Sequence, residues 1–112
     1  MRIIDAPISW ADLKTMAGGR FGNLVKAVVD VERKIMALDG ELHADEEALL
    51  LENGSRQENL WGISIYPELE ASDQIEFDSI INIRPSQGNL SRGVDDQSLR
   101  EKIVQIVAEL VK

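Results

Sequence analysis

The chain has 112 residues, with 12 Lys and Arg against 20 Asp and Glu, a formal charge of −8 at pH 7 with its single His neutral. Of the residues, 44% are hydrophobic and 29% charged, which fits one globular domain over residues 1–112 and excludes disorder, collagen-like repeats and a disulfide scaffold. The acidic balance argues against nucleic acid and anionic membranes as partners, since both need a cationic surface, and the absence of cysteine removes thiolate nucleophiles and Cys-ligated metals.

Met1-Arg2-Ile3-Ile4-Asp5 lacks the apolar stretch of a signal peptide, and no later run reaches the roughly twenty apolar residues that span a bilayer, so a soluble cytoplasmic protein is expected. Ser9 reads as a helix N-cap, with Asp12 three residues on and Ile8 and Leu13 as a hydrophobic staple. The helix starting at Trp10 should close at Gly18-Gly19. Residues 24–38 fit a helical stripe through Leu24, Val28, Val31, Ile35 and Leu38, but Val25, Val28, Val29 and Val31 favour a strand. Asp39-Gly40 decides for the strand, because a two-residue I′ turn needs positive φ at both central residues, and it makes residues 41–45 the returning strand of a hairpin. Residues 48–52 are either more strand or one helical turn.

Asn53-Gly54-Ser55 marks the next turn, and Leu60-Trp61-Gly62-Ile63-Ser64-Ile65-Tyr66 alternates as a strand does until Pro67 stops it. Residues 75–84 read as a further strand, with Ile75, Phe77, Ser79, Ile81 and Ile83 on one side and Glu76, Asp78, Ile80, Asn82 and Arg84 on the other. After a polar loop, Asp95 is the expected cap of a C-terminal helix carrying Leu99, Ile103, Ile106 and Leu110, a stripe that Val104, Val107 and Val111 widen. The expected fold is α+β: an antiparallel meander of about four strands with an N-terminal and a C-terminal helix packed on one face.

The runs Lys26-Ala27-Val28-Val29-Asp30-Val31-Glu32, Gly40-Glu41-Leu42-His43-Ala44-Asp45, Leu60-Trp61-Gly62 and Asn82-Ile83-Arg84-Pro85-Ser86-Gln87-Gly88-Asn89 resemble those of a small prokaryotic family of uncharacterised proteins. The resemblance covers nearly the whole chain and implies one compact domain. It brings no activity, substrate or catalytic residue.

Two places in the chain are suited to chemistry. On a strand, His43, Asp45 and Glu47 point one way, and a neutral imidazole with two carboxylates is a donor set for a divalent metal with an open water position, or for His43 as a general base oriented by its neighbours. The meander would gather Asp30, Glu32, Lys34, Ser64, Tyr66, Glu76, Asp78, Asn82 and Arg84 on the same polar face. The bland reading is a solvated sheet face, and Leu49 and Leu51 share the parity of His43, so the face must switch near Glu47. The second place is the 84–92 loop, where Arg84, Ser86, Gln87, Asn89 and Arg92 offer donors for a carboxylate or phosphate and Gly88 permits close approach. Against it, Asp95 and Asp96 repel an anion, and the bland reading pairs Arg84 with Asp78 or Glu76. Trp10 reads as a seal on the core, and Trp61 as a core or interface aromatic.

Two function classes follow. A small core and open sheet edges favour a self-associating or protein-interaction module, with a homo-oligomer or a protein partner expected. The alternative is a metal- or anion-binding small-molecule enzyme using the polar sheet face and the 84–92 loop.

Overall fold

The computed structural model describes residues 1–112. In chain order the elements are β1 (Arg2–Ile4), α1 (Trp10–Gly19), β2 (Val25–Asp30), β3 (Ile35–Leu38), α2 (His43–Glu52), β4 (Leu60–Ile65), β5 (Ile75–Glu76) and α3 (Gln97–Leu110). The strands make one antiparallel five-stranded sheet in the order β1-β3-β2-β4-β5. The α+β class is as expected, with one strand more. No helix is long and apolar enough to cross a membrane.

Both terminal helices cover one face. Leu13 and Ala17 of α1 and Ile103, Ile106, Val107 and Leu110 of α3 pack on Val25, Ala27, Val29, Met36, Leu38, Trp61, Ile63 and Ile65. Register explains this set, because Val29 lies opposite both Met36 and Trp61, and Ala27 opposite both Leu38 and Ile63. Val104, 45% exposed, turns outward, so the stripe of α3 is narrower than its sequence suggests.

Helix caps follow local chemistry. Ser9 Oγ accepts from the Asp12 N–H at 3.0 Å while Asp12 Oδ2 accepts from the Ser9 N–H at 3.3 Å, the expected capping box. The cap of α3 is Asp96 rather than Asp95: Asp96 Oδ1 accepts from the N–H groups of Ser98 and Leu99 at 2.8 and 3.2 Å. Asp95 instead ties the preceding loop, accepting from Ser91 Oγ at 2.6 Å and from the Leu90 N–H at 3.1 Å.

The hairpin does not turn at Asp39-Gly40. It turns at residues 31–34, between β2 and β3, because the buried Asp30 carboxylate caps the turn. Its Oδ1 accepts from the N–H groups of Glu32 and Arg33 at 3.0 and 2.9 Å, and Oδ2 from Ser55 Oγ at 2.6 Å. Lys34 takes the positive φ of 58° that closes it. Asp39 does adopt a positive φ of 64°, but Gly40 does not, and the chain leaves the sheet there.

Consequently residues 41–45 are not a strand. His43 through Glu52, including residues 48–52, form α2, which lies on the second face of the sheet with Leu50 against Val28, Ile35, Ala37 and Leu60. That face is therefore covered by α2 over its apolar part rather than polar and open throughout.

Residues 75–84 fail as a strand after Glu76 for a specific reason. Asn82 occupies the place of strand backbone: its Oδ1 accepts from the Gly62 N–H at 2.8 Å, and its Nδ2 donates to the Gly62 carbonyl at 2.9 Å and to the Arg92 carbonyl at 3.0 Å. Arg84 donates to the Leu60 and Gln57 carbonyls. Two side chains thus complete the outer edge of β4 where β5 stops.

Candidate functional site

Helix α2 covers only part of its sheet face. Beyond its first residue, the row Lys26, Ser64 and Glu76, paired across β2, β4 and β5, runs past the end of the helix. A cleft of about 350 Å³ opens there. Lys26, His43, Ser64, Asp78 and Arg92 supply its polar lining, and Leu42, Ile80 and Ile81 an apolar rim.

His43 is fixed at the mouth of this cleft. Its Nε2 lies 2.7 Å from the Ile63 carbonyl, and since a carbonyl only accepts, Nε2 carries the proton and Nδ1 the lone pair. Burial lowers the imidazole pKa from its usual value, with Lys26 and Arg92 adding to the effect; the Ile63 bond and Asp78 oppose it. Burial thus favours the neutral form of the ring. Nδ1 has no protein partner and is not sealed from solvent.

Gly62 makes room for the ring. A Cβ on Gly62 would stand 2.6 Å from Ser79 Cβ and 3.2 Å from His43 Cδ2, so this position admits only glycine without displacement. Arg92 Nε donates to Asp78 Oδ1 at 2.6 Å. Lys26 Nζ lies 4.9 Å from the Phe21 ring centre, free of any carboxylate. Ser64 is only 5% exposed, yet its hydroxyl has no hydrogen-bond partner in the protein and still reaches the cleft. The N-cap position of α2 is Leu42, which provides no side-chain acceptor, so the positive end of the helix also faces this opening.

The residues expected to act together are dispersed. On a helix, successive residues turn by about 100°, so Asp45 faces away from His43, into a separate basin with Met1, Arg20 and Glu52. Glu47 turns toward Arg84, whose charge it supports against the pKa-lowering effect of burial. No three His, Asp or Glu side chains come together as a metal ion requires. The trio His43, Asp45 and Glu47 is thus not one metal site.

The residues of the 84–92 loop come together only in part. Arg84 is buried with its guanidinium 3.9 Å from the Trp61 ring centre, and neither Asp78 nor Glu76 is its partner. Asn89 is buried and holds the loop from within, donating to the carbonyls of Asn82 and Gly93 at 2.7 and 2.8 Å and accepting from the Asp95 N–H at 2.8 Å. Arg84, Ser86 and Gln87 together line one all-polar basin with Arg56, Gln57 and Glu58, although the Arg84 guanidinium is engaged with the Leu60 and Gln57 carbonyls. Only Arg92 joins His43. Ser64 and Asp78 stood on the expected polar sheet face, but Lys26 entered no sequence-based site, although a lysine inside the otherwise apolar run Val25-Lys26-Ala27-Val28-Val29 is itself a signal.

Residues 2–110 match the family described as protein of unknown function (DUF5674). No curated protein and no solved structure matches the chain.

Proposed function

The chain belongs to the DUF5674 family, a premise that assigns no activity, and from it we propose that the protein binds a small anionic molecule in the His43 cleft. The observation that carries the reading is the convergence of a neutral, tautomer-fixed His43 with two cations, Lys26 and Arg92, in one concave site. Binding sites characteristically join an apolar lining to a few placed polar groups. The ligand chemistry follows from the lining: an anionic head for Lys26 and Arg92, a proton for His43 Nδ1 to accept, and an apolar portion against Leu42 and Ile80, which are 54% and 68% exposed. The −8 overall charge does not oppose this, because a cleft focuses the field of its own lining groups.

One histidine in the chain makes the test direct. Titration with inorganic phosphate, and separately with acetate, should shift the His43 ring resonances saturably, and Lys26→Gln or Arg92→Gln should weaken the stronger of the two about tenfold, as expected for loss of a charge-assisted hydrogen bond. Unmoved His43 resonances with both anions refute the reading.

Self-association is a second reading, favoured by one observation: β1 stands at the end of the sheet with no strand outside it. Trp61 and Ile65 do not serve it, being buried within the monomer. Sedimentation equilibrium decides, since a monomer at high concentration removes it.

A further inference from the structure

We propose that His43 is a phosphoryl acceptor, its Nδ1 taking the group from a donor of the phosphoramidate or acyl phosphate class. This rests on the anion-binding reading of the cleft and adds a covalent step to it. Four observations converge. Nε2 is occupied by the Ile63 carbonyl at 2.7 Å, so Nδ1 alone is available to react. A carbonyl, rather than a carboxylate, holds the ring, so no carboxylate is placed to take the Nε2 proton as in a proton relay; a neutral ring with a free lone pair is a nucleophile. Ser64 keeps a nearly buried hydroxyl with no partner in the protein, open to the same cleft, and buried polar groups are ordinarily paired, so its partner is expected to arrive from outside. Lys26 and Arg92 supply charge for phosphoryl oxygens. Asp78 is the one carboxylate in the lining, and Arg92 holds it at 2.6 Å.

The step balances without an oxidant or reductant. The Nδ1 lone pair forms an N–P bond as the P–N bond of phosphoramidate breaks, and the electron pair of that bond leaves with ammonia, whose nitrogen is already protonated in the donor. From an acyl phosphate, the P–O bond breaks and a carboxylate leaves. The ring becomes cationic, its proton staying on Nε2, where the bond to the Ile63 carbonyl becomes charge-assisted and shorter.

Regiochemistry provides the test. The folded protein, incubated with potassium phosphoramidate, should gain one phosphoryl group on His43, and the nitrogen–phosphorus couplings should assign it to Nδ1. The same chain unfolded in urea exposes both nitrogens and should react mainly at the less hindered Nε2. Lys26→Gln and Arg92→Gln should slow the folded reaction about tenfold without changing the nitrogen used, and His43→Ala should take up nothing. Reaction at Nε2 in the folded protein, or no reaction, overturns the proposal. Phosphate titration of the unmodified protein separates the two levels: saturable shifts at His43 without phosphoryl uptake refute the acceptor alone, and absence of both refutes the cleft as well.

Discussion

Glu46 should make the protein progressively less stable as pH rises, and Glu46→Gln should remove that dependence. The carboxyl is fully buried on α2, with Oε2 accepting from the Gly40 N–H at 2.9 Å and Oε1 buried without a partner. Burial pushes its pKa up from 4.5 to about 8; the Gly40 bond, Lys26 and the N-terminal amine pull against that shift, and Asp39 adds to it. A carboxyl whose folded pKa is raised contributes its full stability below the unfolded value, and loses it as pH climbs toward the folded value. With those two values, the loss is about 1 kcal/mol at pH 5, about 3 kcal/mol at pH 7 and between roughly 4 and 5 kcal/mol above pH 8.5. Glutamine keeps the shape and the acceptor for Gly40 while carrying no charge in either state. Urea unfolding of both proteins at these pH values should therefore give a stability difference that grows with pH by those amounts. His43 titrates in the opposite sense, its lowered pKa costing stability as pH falls below about 6.5, but it is common to both proteins and cancels in the difference. Parallel pH–stability curves for wild type and Glu46→Gln would refute the argument.

Three further outcomes are expected. Gly62→Ala should destabilise by about 1–3 kcal/mol, a typical overpacking cost, and should move the His43 ring resonances, since the new methyl meets Ser79 and His43. Asn82→Ala should lower the melting temperature by about 10 °C or more, because two Gly62 backbone groups lose buried partners at about 1–3 kcal/mol each and 1 kcal/mol corresponds to about 4–8 °C in small domains. Asp96→Ala should cost about 1 kcal/mol and Asp95→Ala should leave the start of α3 intact, read by amide exchange in the first turn.

Elements set by short-range chemistry were legible in the sequence. Ser9 and Asp12 announce the start of α1, and the spacing of Ile103, Ile106 and Leu110 announces the buried side of α3. What misled was chemistry acting over distance. Asp39-Gly40 resembles a hairpin turn locally, but Asp30 caps an earlier turn by accepting from the Glu32 and Arg33 N–H groups, its carboxylate held in place by Ser55, 25 residues away in sequence. Gly40 is present for space: a Cβ there would lie 2.6 Å from Glu46 Cγ. In residues 75–84 the alternation of apolar and polar side chains is genuine, yet Asn82 uses its amide where a strand would use backbone. His43 and Arg92 stood among the candidate residues, but the structure sets them beside Lys26 and Ser64 rather than Asp45, because a strand places Asp45 beside His43 and a helix does not.

The closure of β4 by Asn82 and Arg84 has a consequence for solubility. A continuous strand shields its neighbour with many bonds that fray one at a time, whereas here two side chains screen Leu60 and Gly62. Losing one of them bares adjoining backbone groups while the rest of the sheet stays folded. That exposed stretch is a docking template for any extended chain. Variants at Asn82 should therefore form intermolecular β-structure, detectable as thioflavin binding or light scattering, at temperatures where their circular dichroism is still native.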